Sequence, residues 1–293
     1  MPRRIGVMGV CDSGALALTL SILLPEETVQ VVSWPQGSED AQQAWFLTAK
    51  GSFDVLLIND ILAPRIKDLT LVRQSGLDCR VYPHIHFHAF HPDMTYASRM
   101  VGNEHELLKT GYNSSIVLWC YLSDAAPEAA AAMFTGDVFE RLGYFAEWDA
   151  SVEPLRTRFG ECGLDFRRFF QKVKRDGIFM LSSNHPRVAT ISALAGRIAV
   201  DLLEAPEAVT SLAIYMADHL AQSSFPVYPE IGDYYGHDTT YDFFISGKTI
   251  GLVDYIRWAY GQYELVGPKP IEFFYGRPGL RAKLDAVLSE RLG

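Results

Sequence analysis

The chain has 293 residues, which is enough for one large domain or two smaller ones. Hydrophobic residues make up 48% and charged residues 21%, a composition typical of a globular protein with a buried core rather than a disordered or fibrous chain. The net charge of -9 disfavours binding of nucleic acid or an anionic membrane over the whole surface.

The spacing of the cysteines and the length of the apolar runs indicate the cellular compartment of the protein. The four cysteines are scattered and form no C-x-x-C pair, which disfavours a zinc ribbon or a thioredoxin-type site. The basic start is followed by a glycine-containing run that is typical of a strand and a turn, and no stretch of ~18 apolar residues is present. We therefore expect a cytoplasmic protein with free thiols, no signal peptide and no transmembrane segment.

The N-terminal third alternates between apolar runs and helix-forming segments. Strands are predicted at residues 5–10, 29–34, 53–58 and 79–87, and helices at 15–24, 39–50 and 66–74. Continuous apolar strands that alternate with helices are typical of a parallel sheet with helices on both faces. The predicted fold class is α/β, with a small, mostly parallel sheet of the Rossmann or SGNH type.

The rest of the chain is predicted to be mainly helical. Helical spacing of apolar residues dominates 113–177, and the later segments are a strand at 178–181, a helix from 186 to about 203, a loop at 226–241 and a final helix at 249–263. We predict a single domain over 1–293. In it, residues 112–177 form a helical cap or insertion on a core made of 1–111 and 178–293.

The first candidate site is the turn between the first strand and the first helix. It contains Gly9, Cys11, Asp12, Ser13 and Gly14. Backbone N–H groups at the start of a helix stabilise a phosphate, an oxyanion or a thiolate, so Cys11 and Ser13 are both candidate nucleophiles. A tight turn with a small buried thiol gives the same pattern. The dinucleotide fingerprint G-x-G-x-x-G is absent.

A second candidate is the pair Asn59–Asp60 at the end of the third strand. The carboxyl ends of parallel strands meet at one edge, so these side chains are expected near Cys11. Asn59 is a candidate donor to an oxyanion. A residue that caps the next turn is the equally supported alternative.

Four of the eight histidines lie close together after the fourth predicted strand. In an extended chain His84, His86 and His88 would share one face, which is a pattern that can bind zinc. No cysteine or carboxylate stands at ligand spacing before Asp93, so we expect no metal. His91 and Asp93, on either side of a proline, are the predicted functional residues of this segment.

Asn184 and His185 precede a proline between a predicted strand and a predicted helix. The positive end of a helix dipole favours neutral imidazole, the form that acts as a general base. His185 is therefore a candidate base, with a turn histidine of no catalytic role as the alternative.

Taken in chain order, these segments resemble the WcbI family of capsular polysaccharide biosynthesis proteins over about residues 4–265. The matching positions are Gly9, Cys11, Phe87, His91, Pro92, Asp93, Tyr96, Gly111, Ser115, Asn184, His185 and Pro186. Val10 and Asp12 stand where the family's pattern has Asn and Gln.

The resemblance implies an acyltransferase that uses coenzyme A or acetyl-CoA as co-substrate and has a sugar or polysaccharide as acceptor. With the residues above, it gives as candidate catalytic residues Cys11, His185, His91 and Asp93. The candidate cofactor-binding residues are Gly9, Cys11, Asp12, Ser13, Gly14, Asn59, Ser115 and Asn184. The sequence leaves a homo-oligomer open.

Two other functions fit parts of the pattern. The blocks around Ser13, Asn59 and His185 are similar to those of SGNH esterases, with Ser13 as nucleophile. Each block departs from that pattern, at Cys11, at Leu57 and at Ser182. A non-catalytic binding protein of a polysaccharide locus is the third interpretation, and turnover of acetyl-CoA or an ester separates it from the enzymes.

Overall fold

A computed structural model describes residues 2–65, 75–101, 104–207, 212, 216–218, 220–266, 271–275 and 279–292. The chain divides into two compact units, each made of two stretches. Unit 1 consists of Met1–His86 and Val152–Ala221, and unit 2 of Phe87–Ser151 and Gln222–Gly293. The predicted helix at 66–74 lies outside the described residues.

Unit 1 contains a four-stranded parallel sheet in the order β2-β1-β3-β4. The strands are β1 (Arg4–Met8), β2 (Thr28–Val32), β3 (Val55–Asn59) and β4 (Asp78–Tyr82). The central strands β1 and β3 are buried almost throughout, as continuous apolar runs require. The predicted α/β class with a mostly parallel sheet is confirmed.

The helices of unit 1 follow the apolar pattern of the sequence. They are α1 (Ser13–Leu23), α2 (Glu39–Ala49), the end of α6 (Glu147–Glu161), α7 (Phe166–Arg175) and α8 (Val188–Arg197), and a hairpin of β7 (Met180–Ser182) and β8 (His185–Pro186) precedes α8. The inner side of α1 is made of small and apolar residues and packs against β2 and α8. Phe46 and Ala49 of α2 pack with Met8 and Leu56 of the sheet in one apolar cluster.

Unit 2 is built on an antiparallel sheet in the order β11-β5-β6. Its strands are β5 (Met94–Val101), β6 (Glu104–Ser114) and β11 (Ile271–Tyr275), with a separate hairpin of β9 (Phe243–Ile245) and β10 (Lys248–Ile250). Its helices are α3 (Ser115–Leu122), α4 (Pro127–Ala131), α5 (Gly136–Leu142), the start of α6, α9 (Pro229–Tyr235), α10 (Leu252–Glu264) and α11 (Leu280–Leu292). The core is aromatic, and Phe243 stacks on Tyr255 with 3.7 Å between ring centroids.

Several predicted boundaries were wrong. The segment predicted as a loop at 226–241 contains α9, which Pro229 begins and Gly236 ends in a left-handed conformation. The helix predicted at 249–263 is α10, and it is followed by β11 and α11 rather than ending the chain. The predicted start of a helix at 186 is also wrong, because His185 and Pro186 pair with β7 and α8 begins at Val188.

The compact units divide the chain at residues other than those of the predicted insertion. Residues 112–151 belong to unit 2 and 152–177 to unit 1. The interpretation of a single domain over 1–293 stays a prediction. In the described part of the chain, every helix is too short or too polar to cross a membrane.

Candidate active site

The strand order of the unit 1 sheet reverses between β1 and β3. The chain places β2 on one side of β1, and then β3 and β4 on the other side. In open α/β sheets, ligands bind outside the carboxyl ends of the strands at such a reversal. The turn that follows β1 and the pair Asn59–Asp60 at the end of β3 therefore form the candidate site.

The turn between β1 and α1 is held by a close contact with Tyr82 and by hydrogen bonds to its own backbone. A Cβ on Gly9 would stand 2.1 Å from the hydroxyl oxygen of Tyr82, so only glycine fits there. The N–H of Ser13 donates to the carbonyl of Val10 at 3.0 Å, and the hydroxyl of Ser13 donates to the same carbonyl at 2.8 Å. Cys11 is exposed. The turn thus presents the thiol of Cys11 and keeps the hydroxyl of Ser13 buried and engaged.

Asp12 adds a buried carboxyl to this turn. It is 2% exposed, and among the described residues neither carboxylate oxygen meets a hydrogen-bond donor. Burial raises the pKa of Asp12 to about 6, and the charge of Asp60 adds to the rise. A carboxyl with a pKa near neutral pH, beside an exposed thiol at the binding edge of a sheet, is typical of a general acid or base.

Asp60 connects three segments at the carboxyl edge of the sheet. Its Oδ1 accepts the N–H of His84 at 2.9 Å, and its Oδ2 accepts a hydrogen bond from the guanidinium of Arg158 at 2.7 Å. The neighbouring Asn59 uses its Oδ1 to accept the N–H of Ile61 at 3.1 Å, which is the capping alternative considered for this residue. Arg158 remains 41% exposed, so its cation also faces solvent.

Two histidines follow β4 at the same edge. The rings of His84 and His86 stack at an angle of 25°, with 6.5 Å between centroids. Burial lowers the pKa of His84 to about 3 and that of His86 to about 4, and the charge of Arg158 contributes to both. Both imidazoles are therefore neutral at pH 7. Among the described residues, no group of three or more His, Cys, Asp or Glu side chains is arranged to hold a metal.

His185 lies in unit 1, in the hairpin before α8. The hydroxyl of Ser182 accepts the N–H of His185 at 3.2 Å and donates to Oδ1 of Asn184 at 3.1 Å, which fixes the short connection between β7 and β8. His185 is near enough to His84 to contribute to the lowered pKa of His84. The structure thus brings His185 together with the histidines after β4, in a strand rather than at a helix start.

Asp93 and Ser115 belong to a closed cluster in unit 2. Asp93 is fully buried, and its two oxygens accept hydrogen bonds from the hydroxyls of Ser114, Ser115, Tyr144 and Tyr228 and from the N–H of Ile116. Burial raises the pKa of Asp93, and the hydroxyl donors oppose the rise. Such a set of donors is typical of a structural carboxylate that holds the start of a helix, here α3.

His91 lies two residues before this cluster and is 2% exposed. Its N–H donates to the carbonyl of His88 at 2.8 Å, and its ring meets that of Phe225 with 6.4 Å between centroids. His91, Asp93 and Ser115 were predicted as site residues with Cys11. The structure assigns them to unit 2 and Cys11 to unit 1.

The sequence did not single out Tyr82 and Arg158, and it considered His84 and His86 only for a metal. Tyr82 ends β4, where it pairs with Asn59, and its hydroxyl reaches Gly9 although β3 lies between β4 and β1. Arg158 lies in the helical middle of the chain, 98 residues after its partner Asp60. A pairing between residues so far apart leaves no local pattern in the sequence.

Comparisons with known proteins give a family and a fold. A family model for the polysaccharide biosynthesis enzyme WcbI matches residues 4–206. A solved structure of WcbI, described as a novel polysaccharide biosynthesis enzyme, is similar with a TM-score of 0.65 and 17% identity, and covers 99% of this chain and 95% of that one. It is the native protein without a disulfide bond between coenzyme A and one of its cysteines. A search of curated proteins found no match.

Proposed function

Because the chain belongs to the WcbI family of polysaccharide biosynthesis enzymes, we propose that it is a coenzyme-A-dependent acyltransferase, which transfers an acetyl group to a sugar hydroxyl. The resemblance stated from the sequence is confirmed by that match, and the reaction is our inference. The proposed reaction is supported mainly by one observation: an exposed Cys11 thiol and a buried Asp12 carboxyl lie next to each other at the strand reversal.

Coenzyme A is proposed to bind with its thioester at the turn between β1 and α1. The first N–H groups of a helix have no partner within the helix, so those of α1 can stabilise the oxyanion that forms on the thioester carbonyl. The half-exposed Arg158 offers a cation for a phosphate of the ligand. The solved WcbI is described as a native protein without a disulfide bond between coenzyme A and one of its cysteines, and this mention of the two sulfurs together supports a coenzyme A thiol beside a cysteine, here Cys11.

Asp12 and His185 are the candidate bases in unit 1. We assign the role of general base to Asp12, because its pKa of about 6 suits proton transfer near neutral pH. Asp12 takes the proton of the sugar hydroxyl as the hydroxyl oxygen attacks the thioester carbonyl. The carbon–sulfur bond then breaks, and the coenzyme A thiolate receives the proton. In a covalent route, the thiol of Cys11 first takes the acetyl group from coenzyme A, and the sugar hydroxyl then attacks the acetyl-cysteine and releases the thiol.

Ester hydrolysis by Ser13 gains no support from the geometry. The hydroxyl of Ser13 is buried and already donates to the carbonyl of Val10. An SGNH-type nucleophile would need that hydroxyl exposed and next to a base. Turnover of acetyl-CoA would distinguish a transferase from a protein that only binds its ligands.

Titration calorimetry with coenzyme A tests the proposal. We expect binding in the micromolar range, which corresponds to roughly -8 kcal/mol. Arg158→Gln, which keeps much of the side-chain length but removes the cation, should weaken binding about tenfold, while Arg156→Gln, on the same helix, should leave it unchanged. Absence of heat at millimolar coenzyme A would refute the assignment.

A further inference from the structure

Unit 2 carries a group of aromatic rings that reaches the surface. We name it the aromatic platform, and it consists of Phe145, Trp148, Tyr234 and Tyr235. Tyr234 is 59% exposed, and its ring stacks on Phe145 at 27° with 4.8 Å between centroids. Tyr235 contacts Tyr234 edge to face at 5.1 Å and packs on Trp148 at 5.2 Å. An exposed ring that is held by its neighbours is an ordered, apolar surface for a ligand.

The platform rests on the buried core of unit 2. Phe90, which is 1% exposed, meets Tyr235 at 5.7 Å and Trp148 at 5.9 Å between ring centroids. Helix α9, which bears both tyrosines, packs against the turn Tyr144–Ala146, which bears Phe145. These contacts restrict the rings before any ligand arrives, and such preorganisation lowers the cost of binding.

Polar groups lie next to the platform. The hydroxyl oxygen of Tyr235 is buried and has no hydrogen-bond partner among the described residues. Burial and the neighbouring Tyr234 raise the pKa of Tyr235 to about 12, and the nearby charge of Asp149 adds to the rise. Asp149 and Asp233 are exposed. The surface therefore combines the exposed stacking face of Tyr234 with the carboxylate acceptors Asp149 and Asp233.

We propose that the aromatic platform binds a neutral saccharide. One face of a pyranose ring carries C–H groups that stack on an aromatic ring, and its rim carries hydroxyls that need donors and acceptors. Tyr234 would stack on the sugar, while Asp149 would accept hydrogen bonds from its hydroxyls. The carboxylates Asp149 and Asp233 disfavour an anionic ligand such as a nucleotide. This binding does not depend on the proposed function.

Saturation-transfer NMR on the full chain tests the platform. The probes are the methyl pyranosides of glucose, mannose and galactose, without coenzyme A. We expect transfer to the ring C–H protons of at least one glycoside. Tyr234→Ala should weaken binding about five- to tenfold, Tyr234→Phe should retain it, and Asp149→Asn should weaken it. Leu265→Ala, which alters another exposed side chain of unit 2, should have no effect.

The outcomes separate the two proposals. Absence of transfer to all three glycosides, or equal transfer in wild type and Tyr234→Ala, would overturn the platform. Coenzyme A calorimetry is run on the same preparations. Saccharide binding without coenzyme A binding would refute the transferase and leave the platform standing, and the reverse result would refute the platform alone.

Discussion

At the scale of single residues, the buried carboxyl of Asp12 carries an electrostatic cost. Its carboxyl is buried without a donor among the described residues, and its pKa rises from 3.8 to about 6. A shift of roughly two units corresponds to about 3 kcal/mol against the charged form. Proteins retain such a group where function needs it, since a neutral side chain would be more stable.

Asp12→Asn separates function from stability. We expect acetyl transfer to fall about 10²- to 10⁴-fold, because a general base is lost. The raised pKa makes the contribution of Asp12 to stability complete below about pH 4 and progressively lost as the pH rises through about 6. The variant should therefore gain stability relative to wild type over this window, by up to about 3 kcal/mol at pH 7. Urea unfolding at pH 4 to 7 measures it.

Two controls sharpen this comparison. Asp176→Asn, at an exposed aspartate of unit 1, should change neither activity nor the slope of stability with pH. His185→Gln should reduce activity less than Asp12→Asn if Asp12 is the base. Full activity of Asp12→Asn, or a loss of stability at pH 7, would contradict the assignment.

At the scale of elements, the cluster around Asp93 holds together β5, β6 and the start of α3. Asp93→Asn replaces an acceptor of five hydrogen bonds by an amide with two donors, so several hydroxyls lose their partner. We expect a loss of about 3 kcal/mol in the free energy of unfolding, measured with urea, and little change in coenzyme A affinity of the folded protein.

Asp238→Asn, at an exposed aspartate of unit 2, is the matched control and should cost less than about 0.5 kcal/mol. The opposite result is also informative. A variant of Asp93 with normal stability and no activity would support the catalytic role predicted from the sequence over the structural one.

The elements show where prediction from sequence succeeded and where it failed. The central strands β1 and β3 of the parallel sheet are apolar over most of their length, so their pattern alone predicts burial. The first four residues of β6, 104–107, are exposed and include Glu and His, and they form a strand because of their antiparallel pairing with β5. Long-range pairing of this kind overrides local propensity and leaves little local signal.

At the scale of the whole molecule, the residues predicted for one site fall in two compact units, and their joint role stays a prediction. The motifs at 9–14, 91–93 and 184–186 occur in the order of the family's pattern, which treats them as one set. The structure assigns the first and third motifs to unit 1 and the second to the core of unit 2. The roles predicted for Cys11, Asp12, His185 and Asp93 stay predictions, because a sequence does not distinguish a buried structural carboxyl from a catalytic one.

The central claim is that coenzyme A binds at the turn of Cys11, and selective alkylation tests it. Cys11 is exposed, whereas burial raises the pKa values of Cys79, Cys120 and Cys162 to about 12. Iodoacetamide, followed by peptide mass spectrometry, should therefore modify Cys11 at least ~10 times faster than the other three. Coenzyme A at saturating concentration should protect Cys11 alone. Alkylation of Cys11 at an unchanged rate in the presence of bound coenzyme A would contradict the account.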